Sequence, residues 1–317
     1  MKRDFPFPLP NGWFQVAWSD ELARGELKRL KYFGKELVLY RGENGNAHAL
    51  DAYCPHLGAD LGCGGRVVGN NLRCPFHHWE FDGDGACVEI PYANRIPPKA
   101  SLKSWLVVEK NGMIYAHYHQ QGEAPVFDVP DLPEFGDEQW TPFIKRDFIV
   151  RSRNQELAEN TCDPAHFKYV HGTAGLPTAE ADFDGPLLKV KLDYPIETRS
   201  GEKHGEVSIC SWGYGIGITR FTGIVETTVF VGGTPVDDEY VHNRMSFTLK
   251  KLDSDEATKA VGEAFVNEIS RQFTEDIPIW ENKIYLDRPL LCDGDGPIAV
   301  MRRWGQQFYS PSPGSST

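Results

Sequence analysis

Two short arms of cysteine and histidine constrain this chain more than any other feature: Cys54 and His56 in CPHLG, and Cys74 and His77 in CPFHHW. The pattern is C-x-H, seventeen intervening residues, then C-x-x-H. Two thiolates and two imidazoles are the ligand set of a [2Fe–2S] cluster in which the cysteines hold one iron and the histidines the other. Proline follows each cysteine (Pro55, Pro75). Its fixed φ and missing N–H stiffen a loop that must present two ligands at once. Tetrahedral zinc is the alternative for such a set. Zinc fingers usually group Cys with Cys and His with His, whereas each arm here carries one of each, which favours the cluster. Gly58, Gly62, Gly64, Gly65 and Gly69 lie between the arms and suit a tight cover over a cofactor, as they would an ordinary surface loop.

Around these arms the pattern is one of short strands. VLYRGENGNAHAL turns at 42–46, EFDGDGACVEI at 83–85 and LVVEKNGMIYAHY at Asn111-Gly112, each reading as a hairpin. An all-β domain over 1–124 is expected, with the ligand loops at one end. Residues 120–136 carry three prolines and no periodic apolar pattern and read as a linker. A second domain then spans 125–317, and 317 residues are enough for two domains of ordinary size. In it FIKRDFIVRSR alternates like a strand. Asn154 looks like the N-cap of a helix that Pro164 interrupts or kinks. LLKVKLDY, GEVSICSWGYG, GIVETTVFVGG and YVHNRMSFTLKK read as further strands, and 256–285 as a long helix. The expected class is α+β, an antiparallel sheet with one long helix and one shorter one. Residues 309–317, ending in SPSPGSST, read as a disordered tail.

Composition excludes several functions. A net charge of −12 argues against a nucleic-acid partner. No run of about 18 apolar residues is present, so no transmembrane helix is expected. MKRDFPFPLPNGW has no apolar core of a signal peptide. Of seven cysteines, the five outside the arms show no framework spacing, which fits a reducing cytoplasm better than a disulfide scaffold. No flavin or nicotinamide motif appears, so a reductase function must come from another polypeptide.

A second metal site is suggested by Asn160, Asp163, His166 and His171 in NTCDPAHFKYVH. Two histidines and one carboxylate, with open positions, is the non-haem Fe(II) arrangement. Histidines five apart fall about 140° apart on an ideal helix, so they converge on one metal only if the helix is distorted or ends between them. Pro164 and Gly172 both permit that. For the carboxylate, Val261, Phe265, Ile269, Phe273, Asp276 and Trp280 share one helical face. Asp276 should therefore point inward, where a carboxylate is costly unless paired or bound to metal; its alternative role is to cap a second helix near Pro278. Glu275 lies off that face and reads as solvated. Asp163 reads either as the hydrogen-bond partner of a ligand imidazole or as a cap beside Pro164. Asn160 reads either as a polar group near the iron or as helix surface. His78, beside His77, is the further histidine expected to matter for hydrogen bonding at the cluster. ICSWGYGIGITRF and TGIVETTVFVGG could line an apolar substrate cavity or simply form sheet core.

Both motifs together, with E-N-x-x-D-x-x-H-x4-H running from Glu159 to His171, resemble the oxygenase (alpha) component of the Rieske non-haem iron oxygenases. DPAHFKYVHGT and the C-terminal EDIPIWENKIYLDRPLL and RRWGQQFY look most like the 3-ketosteroid 9α-hydroxylase and cholesterol 7-desaturase branch. The resemblance implies a Rieske domain followed by a helix-grip (START-like) catalytic domain, in a head-to-tail homotrimer. It implies that electrons pass from the Rieske centre of one subunit to the mononuclear Fe(II) of its neighbour. The bridge is a carboxylate matching Asp163, which would contact His77 across the interface and His166 within its own subunit. The third iron ligand matches Asp276. The extra cysteines of respiratory Rieske proteins are replaced here by Ala59 and Pro75-Phe76, which favours the low-potential kind. Implied partners are a separate NAD(P)H-dependent reductase or a ferredoxin, O2, and a hydrophobic, steroid-like substrate to be hydroxylated, desaturated or demethylated. The competing readings are a Rieske electron carrier whose C-terminal domain only binds a partner or ligand, and a lipid-binding protein with vestigial metal sites.

Overall fold

The computed structural model describes residues 5–173, 176–198, 201–223 and 225–311, without the side chains of 194–198 and 201–204. Two compact units result: Trp13–Tyr118, and Met1–Gly12 together with His119–Thr317. The division expected after residue 124 thus falls after Tyr118, and the first residues belong with the C-terminal unit. Hydrogen bonding is the reason. The Asn11 N–H donates to the Phe308 carbonyl at 2.7 Å, its Nδ2 to Ser310 Oγ at 3.0 Å, and its Oδ1 accepts from the Gln120 N–H at 2.9 Å. Phe7 stacks on Tyr309, ring centroids 4.7 Å apart. The disorder expected from 309 does not hold for Tyr309 and Ser310, because Tyr309 Oη donates to Gln155 Oε1 and Ser310 is buried; residues 312–317 lie outside the described residues.

The first unit is built from β1 (Gly12–Trp18), β2 (Leu27–Tyr32), β3 (Lys35–Arg41), β4 (Ala47–Asp51), β5 (Arg66–Val68), β6 (Asn71–Arg73), β7 (Glu80–Phe81), β8 (Cys87–Glu89), β9 (Ser104–Trp105), β10 (Val107–Lys110) and β11 (Met113–Tyr118). They form three sheets in the orders β1-β11-β10, β2-β3-β4-β9 and β5-β6-β7-β8. The hairpins at 42–46, 83–85 and Asn111-Gly112 are those of the sequence pattern. Asn111 and Gly112 both take positive φ (55° and 72°), the backbone that a two-residue hairpin turn demands. Val38, Tyr40, Leu50, Leu61, Leu72 and Phe81 pack with Cys54 and Cys74 in one core, so the first ligand of each arm is anchored in apolar packing.

The second unit contains β12 (Ile144–Val150), α1 (Asn154–Glu159), α2 (Pro164–Tyr169), β13 (Thr178–Asp184), β14 (Leu187–Thr198), β15 (Gly201–Trp212), β16 (Ile216–Thr222), β17 (Thr227–Pro235), β18 (Val241–Leu249), α3 (Asp255–Asn282) and α4 (Ile298–Gly305). Its seven strands form one antiparallel sheet, β12-β18-β17-β16-β15-β14-β13. Helix α3 starts at Ser254, whose Oγ accepts from the Ala257 N–H, with Asp255 and Glu256 in the first turn; cap and acidic turn satisfy the helix's free N–H groups and dipole. Its Val266, Phe265, Ile269 and Phe273 pack on Val229, Met245 and Phe247 of the sheet. This is the helix-grip arrangement of a long helix across an antiparallel sheet.

Three local expectations change. Asn154 is the first residue of α1 rather than its cap, and its buried Nδ2 donates to the carbonyls of Tyr214 and Gly233. Pro278 lies inside α3, which runs unbroken to Asn282, so Asp276 caps no second helix. The segment 120–136 lacks regular structure but is packed: Val129, Leu132 and Glu134 are buried, and Glu134 accepts from Arg220 and Thr228.

Candidate metal centres and cavity

Cys54 and His56 lie in the connection from β4 to β5, Cys74 and His77 in that from β6 to β7. Both loops close by the same device. The Cys54 N–H donates to the Ala59 carbonyl (2.8 Å) and the Gly58 N–H to that of Cys54 (2.9 Å); the Cys74 N–H donates to Trp79 (2.8 Å) and the His78 N–H to Cys74 (3.2 Å). Gly58 and His78 both adopt left-handed φ, 78° and 61°. His78 thus shapes the turn through its backbone, and its side chain is exposed. The thiols are buried (Cys54 3 % exposed, Cys74 1 %). The His56 and His77 rings meet edge-on at 4.6 Å, and His56 lies flat on Trp79 at 4.7 Å. Trp79 is held in turn by its indole N–H to Tyr92 Oη, 2.9 Å.

Nδ1 of His56 and of His77 is buried without a hydrogen-bond partner. Burial pushes the Cys54 thiol up to about 11; a backbone hydrogen bond from His56 opposes this and the neighbouring Cys74 adds to it. Buried polar atoms are normally partnered. Two orphaned imidazole nitrogens beside two buried thiols are a donor set that a cationic group would satisfy.

In the second unit, α2 ends at Tyr169 and the chain turns through Val170 and Gly172, the latter at φ 74°. The helix thus stops between the two histidines, which removes the 140° obstacle. One ligand atom each from His166, His171 and Asp276 lies within 4.8 Å of the others. The two rings are nearly perpendicular, centroids 5.2 Å apart. His171 Nε2 is 3.4 Å from Asp276 Oδ2, and Asp276 is only 7 % exposed. Each histidine spends Nδ1 elsewhere: that of His166 on the Asp163 carbonyl, that of His171 on Glu275 Oε2 at 3.1 Å. The Asp163 carbonyl is a pure acceptor, so His166 Nδ1 carries the proton and its Nε2 presents a lone pair; His171 has an acceptor at each nitrogen, Glu275 at Nδ1 and Asp276 at Nε2. Burial lowers the His166 pKa, against the Asp163 carbonyl and the Asp276 charge, which favours the neutral ring a metal needs. Burial raises that of Asp276, against the two histidines and Asn160. Two imidazoles converging on a buried carboxylate are a donor set that a cation would satisfy, so these three residues could hold a metal ion.

The chain matches the Rieske [2Fe–2S] domain over residues 12–116 and the 3-ketosteroid 9α-hydroxylase C-terminal domain over residues 116–309. It belongs to the 3-ketosteroid 9α-hydroxylase family of Rieske oxygenases. A probable 3-ketosteroid-9-alpha-monooxygenase, oxygenase component, of Rhodococcus rhodochrous is 32 % identical over 96 % of this chain and 81 % of its own length. Cholesterol 7-desaturase of Caenorhabditis elegans is 33 % identical, over 97 % and 78 % respectively. The crystal structure of dicamba monooxygenase bound to dicamba shares the fold at a TM-score of 0.73 and 21 % identity, covering 94 % of this chain and 96 % of that one. The protein is thus the oxygenase component of a Rieske-type oxidoreductase.

In this Rieske oxygenase the sequence-predicted residues fall into place unevenly. Asp163 meets His166 through its backbone carbonyl. Its carboxylate instead caps α2, accepting from the Ala165 and His166 N–H groups at 3.0 and 3.3 Å. Asn160 is not helix surface: its Nδ2 donates to Asp276 Oδ2 at 3.2 Å and its Oδ1 accepts from the Trp280 indole at 3.3 Å. Glu159 ties α1 to α4 by a two-pronged pair with Arg302, at 2.8 and 3.0 Å. Glu275, expected to be solvated, instead partners His171. That hydrogen bond and then Arg271 hold its carboxyl below the ordinary range, against partial desolvation. Its helical phase concealed it, because a turn from outside α3 sets His171 across the edge of the helix, with Nε2 toward Asp276 and Nδ1 toward Glu275.

A cavity of about 270 Å3 opens on His166, His171 and Asp276. Val207, Ile209, Phe221, Val231, Met245, Ile269 and Phe273 line it, from β15, β16, β17, β18 and α3, so both segments flagged for cavity walls contribute. Among the polar lining, Asn243 is buried and its Nδ2 lacks a partner.

Proposed function

We propose that this oxygenase holds its [2Fe–2S] cluster on Cys54, His56, Cys74 and His77 and a mononuclear Fe(II) on His166, His171 and Asp276. We further propose that it hydroxylates, desaturates or demethylates a C–H bond of a hydrophobic, steroid-like small molecule. One observation carries the reading: two imidazole nitrogens and a buried carboxylate converge on the wall of an apolar cavity. Two histidines and a carboxylate with open positions suit Fe(II) chemistry with O2. When bound, the iron supplies reductive activation of O2 and the cluster supplies the electrons.

The chain's own residues do the rest. The Asp163 carbonyl accepts a hydrogen bond from His166 Nδ1–H, and the Glu275 carboxylate accepts one from His171 Nδ1–H. Asn160 orients Asp276, and Trp280 orients Asn160. The apolar walls exclude water from the reacting centre. Asn243 offers a donor to one polar atom of an otherwise apolar substrate. The substrate class follows the named relatives, which act on 3-ketosteroids and cholesterol. Asp163, adjacent to His166, is the proposed electron bridge between centres.

Electrons would come from a separate NAD(P)H-dependent reductase, directly or through a ferredoxin, to a cytoplasmic homotrimer. In support, Leu57 (65 % exposed) and Phe76 (59 %) flank the cluster histidines, the kind of exposed apolar surface a protein partner covers. Among the described residues no helix is long and apolar enough to cross a membrane.

The test is Asp276→Ala. The expected protein keeps the visible and EPR spectrum of the cluster, loses the mononuclear iron by metal analysis and shows no turnover. Full activity in this variant would refute the site. Wild-type protein that holds cluster iron alone, however it is reconstituted, would instead be the electron carrier.

A further inference from the structure

We propose that Glu275, clamped by Arg271, is a positioning residue that selects the tautomer of His171 and so keeps Nε2 available as a metal donor. The inference rests on the metal reading above. His171 is surrounded by competing acceptors. Its side chain is 2 % exposed, with Glu275 Oε2 3.1 Å from Nδ1 and Asp276 Oδ2 3.4 Å from Nε2. A neutral imidazole has one proton for two carboxylates. If the proton sits on Nδ1, Nε2 is a ligand. If it sits on Nε2, the ring donates to Asp276, and one hydrogen bond disables two of the three metal ligands. The buried Asp276 carboxylate favours the second arrangement, because it lacks solvent. Glu275 is what opposes it.

Glu275 is held for that task. Arg271 donates to Glu268 through Nε and Nη2, at 3.0 and 2.6 Å, and to Glu275 through Nη1. Glu268, Arg271 and Glu275 sit at i, i+3 and i+7 on α3, one stripe beside the face that carries Asp276. The fork of a guanidinium bound at three points fixes the Glu275 carboxylate against His171. The other histidine needs no such device. His166 Nδ1 bonds to a backbone carbonyl, a neutral acceptor fixed by the turn that precedes α2. The two imidazoles are therefore held differently, one by a charged side chain and one by the main chain, and only the first can be altered by substitution.

The test measures Fe(II) binding to protein that carries its cluster but has had the mononuclear metal removed, together with histidine tautomers by 15N NMR in the metal-free state. In Glu275→Ala the expected result is roughly 10- to 100-fold weaker Fe(II) binding and a shift of His171 from Nδ1–H to Nε2–H. Glu275→Gln should recover part of the affinity, since its amide oxygen still accepts from Nδ1. The cluster spectrum and Tm should stay at wild-type values in both. Wild-type Fe(II) affinity with an unshifted His171 tautomer in Glu275→Ala would overturn the proposal. His171→Ala separates the two levels: loss of Fe(II) binding there leaves the metal reading intact whatever Glu275 does, whereas unchanged binding overturns both.

Discussion

Asp163 works with different atoms on different neighbours. Its carbonyl fixes the ring of His166, and its carboxylate caps α2. Because Asn caps a helix about as well as Asp, Asp163→Asn should preserve fold and both metals while removing the negative charge. Stopped-flow single turnover is expected to show slower electron transfer between the centres; an unchanged rate would exclude the bridging role. Asp163→Ala adds a structural loss of about 1 kcal/mol from the missing cap, measurable by denaturant titration. The same residue shows what sequence could and could not deliver. Its proximity to His166 follows from a three-residue separation. Which of its oxygens faces the ring depends on the φ/ψ of the turn, and no spacing rule contains that. Asn160 was open between two readings for a similar reason, since its partner Asp276 lies 116 residues away.

At the level of elements, the convergence of His166 and His171 depends on where α2 stops. The helix ends at Tyr169, and Gly172 at φ 74° carries the turn that follows His171, a conformation that costs an L-residue roughly 1–2 kcal/mol. Among the described residues, its chain neighbours aside, no heavy atom lies within 4 Å of where a Cβ would stand at Gly172, so Gly172→Ala tests conformation. We expect a lower Tm together with reduced mononuclear iron, the latter because the strained turn displaces His171. Wild-type iron content would mean that the turn does not set the ligand geometry. Elements with strong local signals were legible: the hairpins through their Gly and Asn turns, and α3 through its apolar period. β13 was not, because its inward positions include Ala179 and Ala181, too small to mark an alternation against the surrounding acids. The true start of α1 was concealed by Asn154, a good cap residue whose side chain is drawn into the sheet by two carbonyls.

On the scale of the whole molecule, the two candidate metal centres offer different donors in separate units. Cysteine thiolates hold a cluster more tenaciously than histidine and carboxylate hold a single Fe(II). A ferrous chelator should therefore abolish turnover without changing the visible spectrum of the cluster, and added Fe(II) should restore it; loss of the cluster spectrum in step with activity would contradict that division. The sequence by itself determined the cofactor class of the first unit, the α+β make-up of the second and the candidate ligands of each centre. Those features are local: ligand spacing, turn chemistry and helical period are written within a few residues. Only the tertiary structure decided the rest. The N-terminal segment joined the C-terminal unit through Asn11, packed order continued through Ser310, and the cavity came to be lined by the three candidate ligands. Glu275 became the partner of His171, a residue 104 positions away. Such contacts are set by how α3 lies across the sheet, and packing of that kind depends on the summed shape of many side chains rather than on any motif.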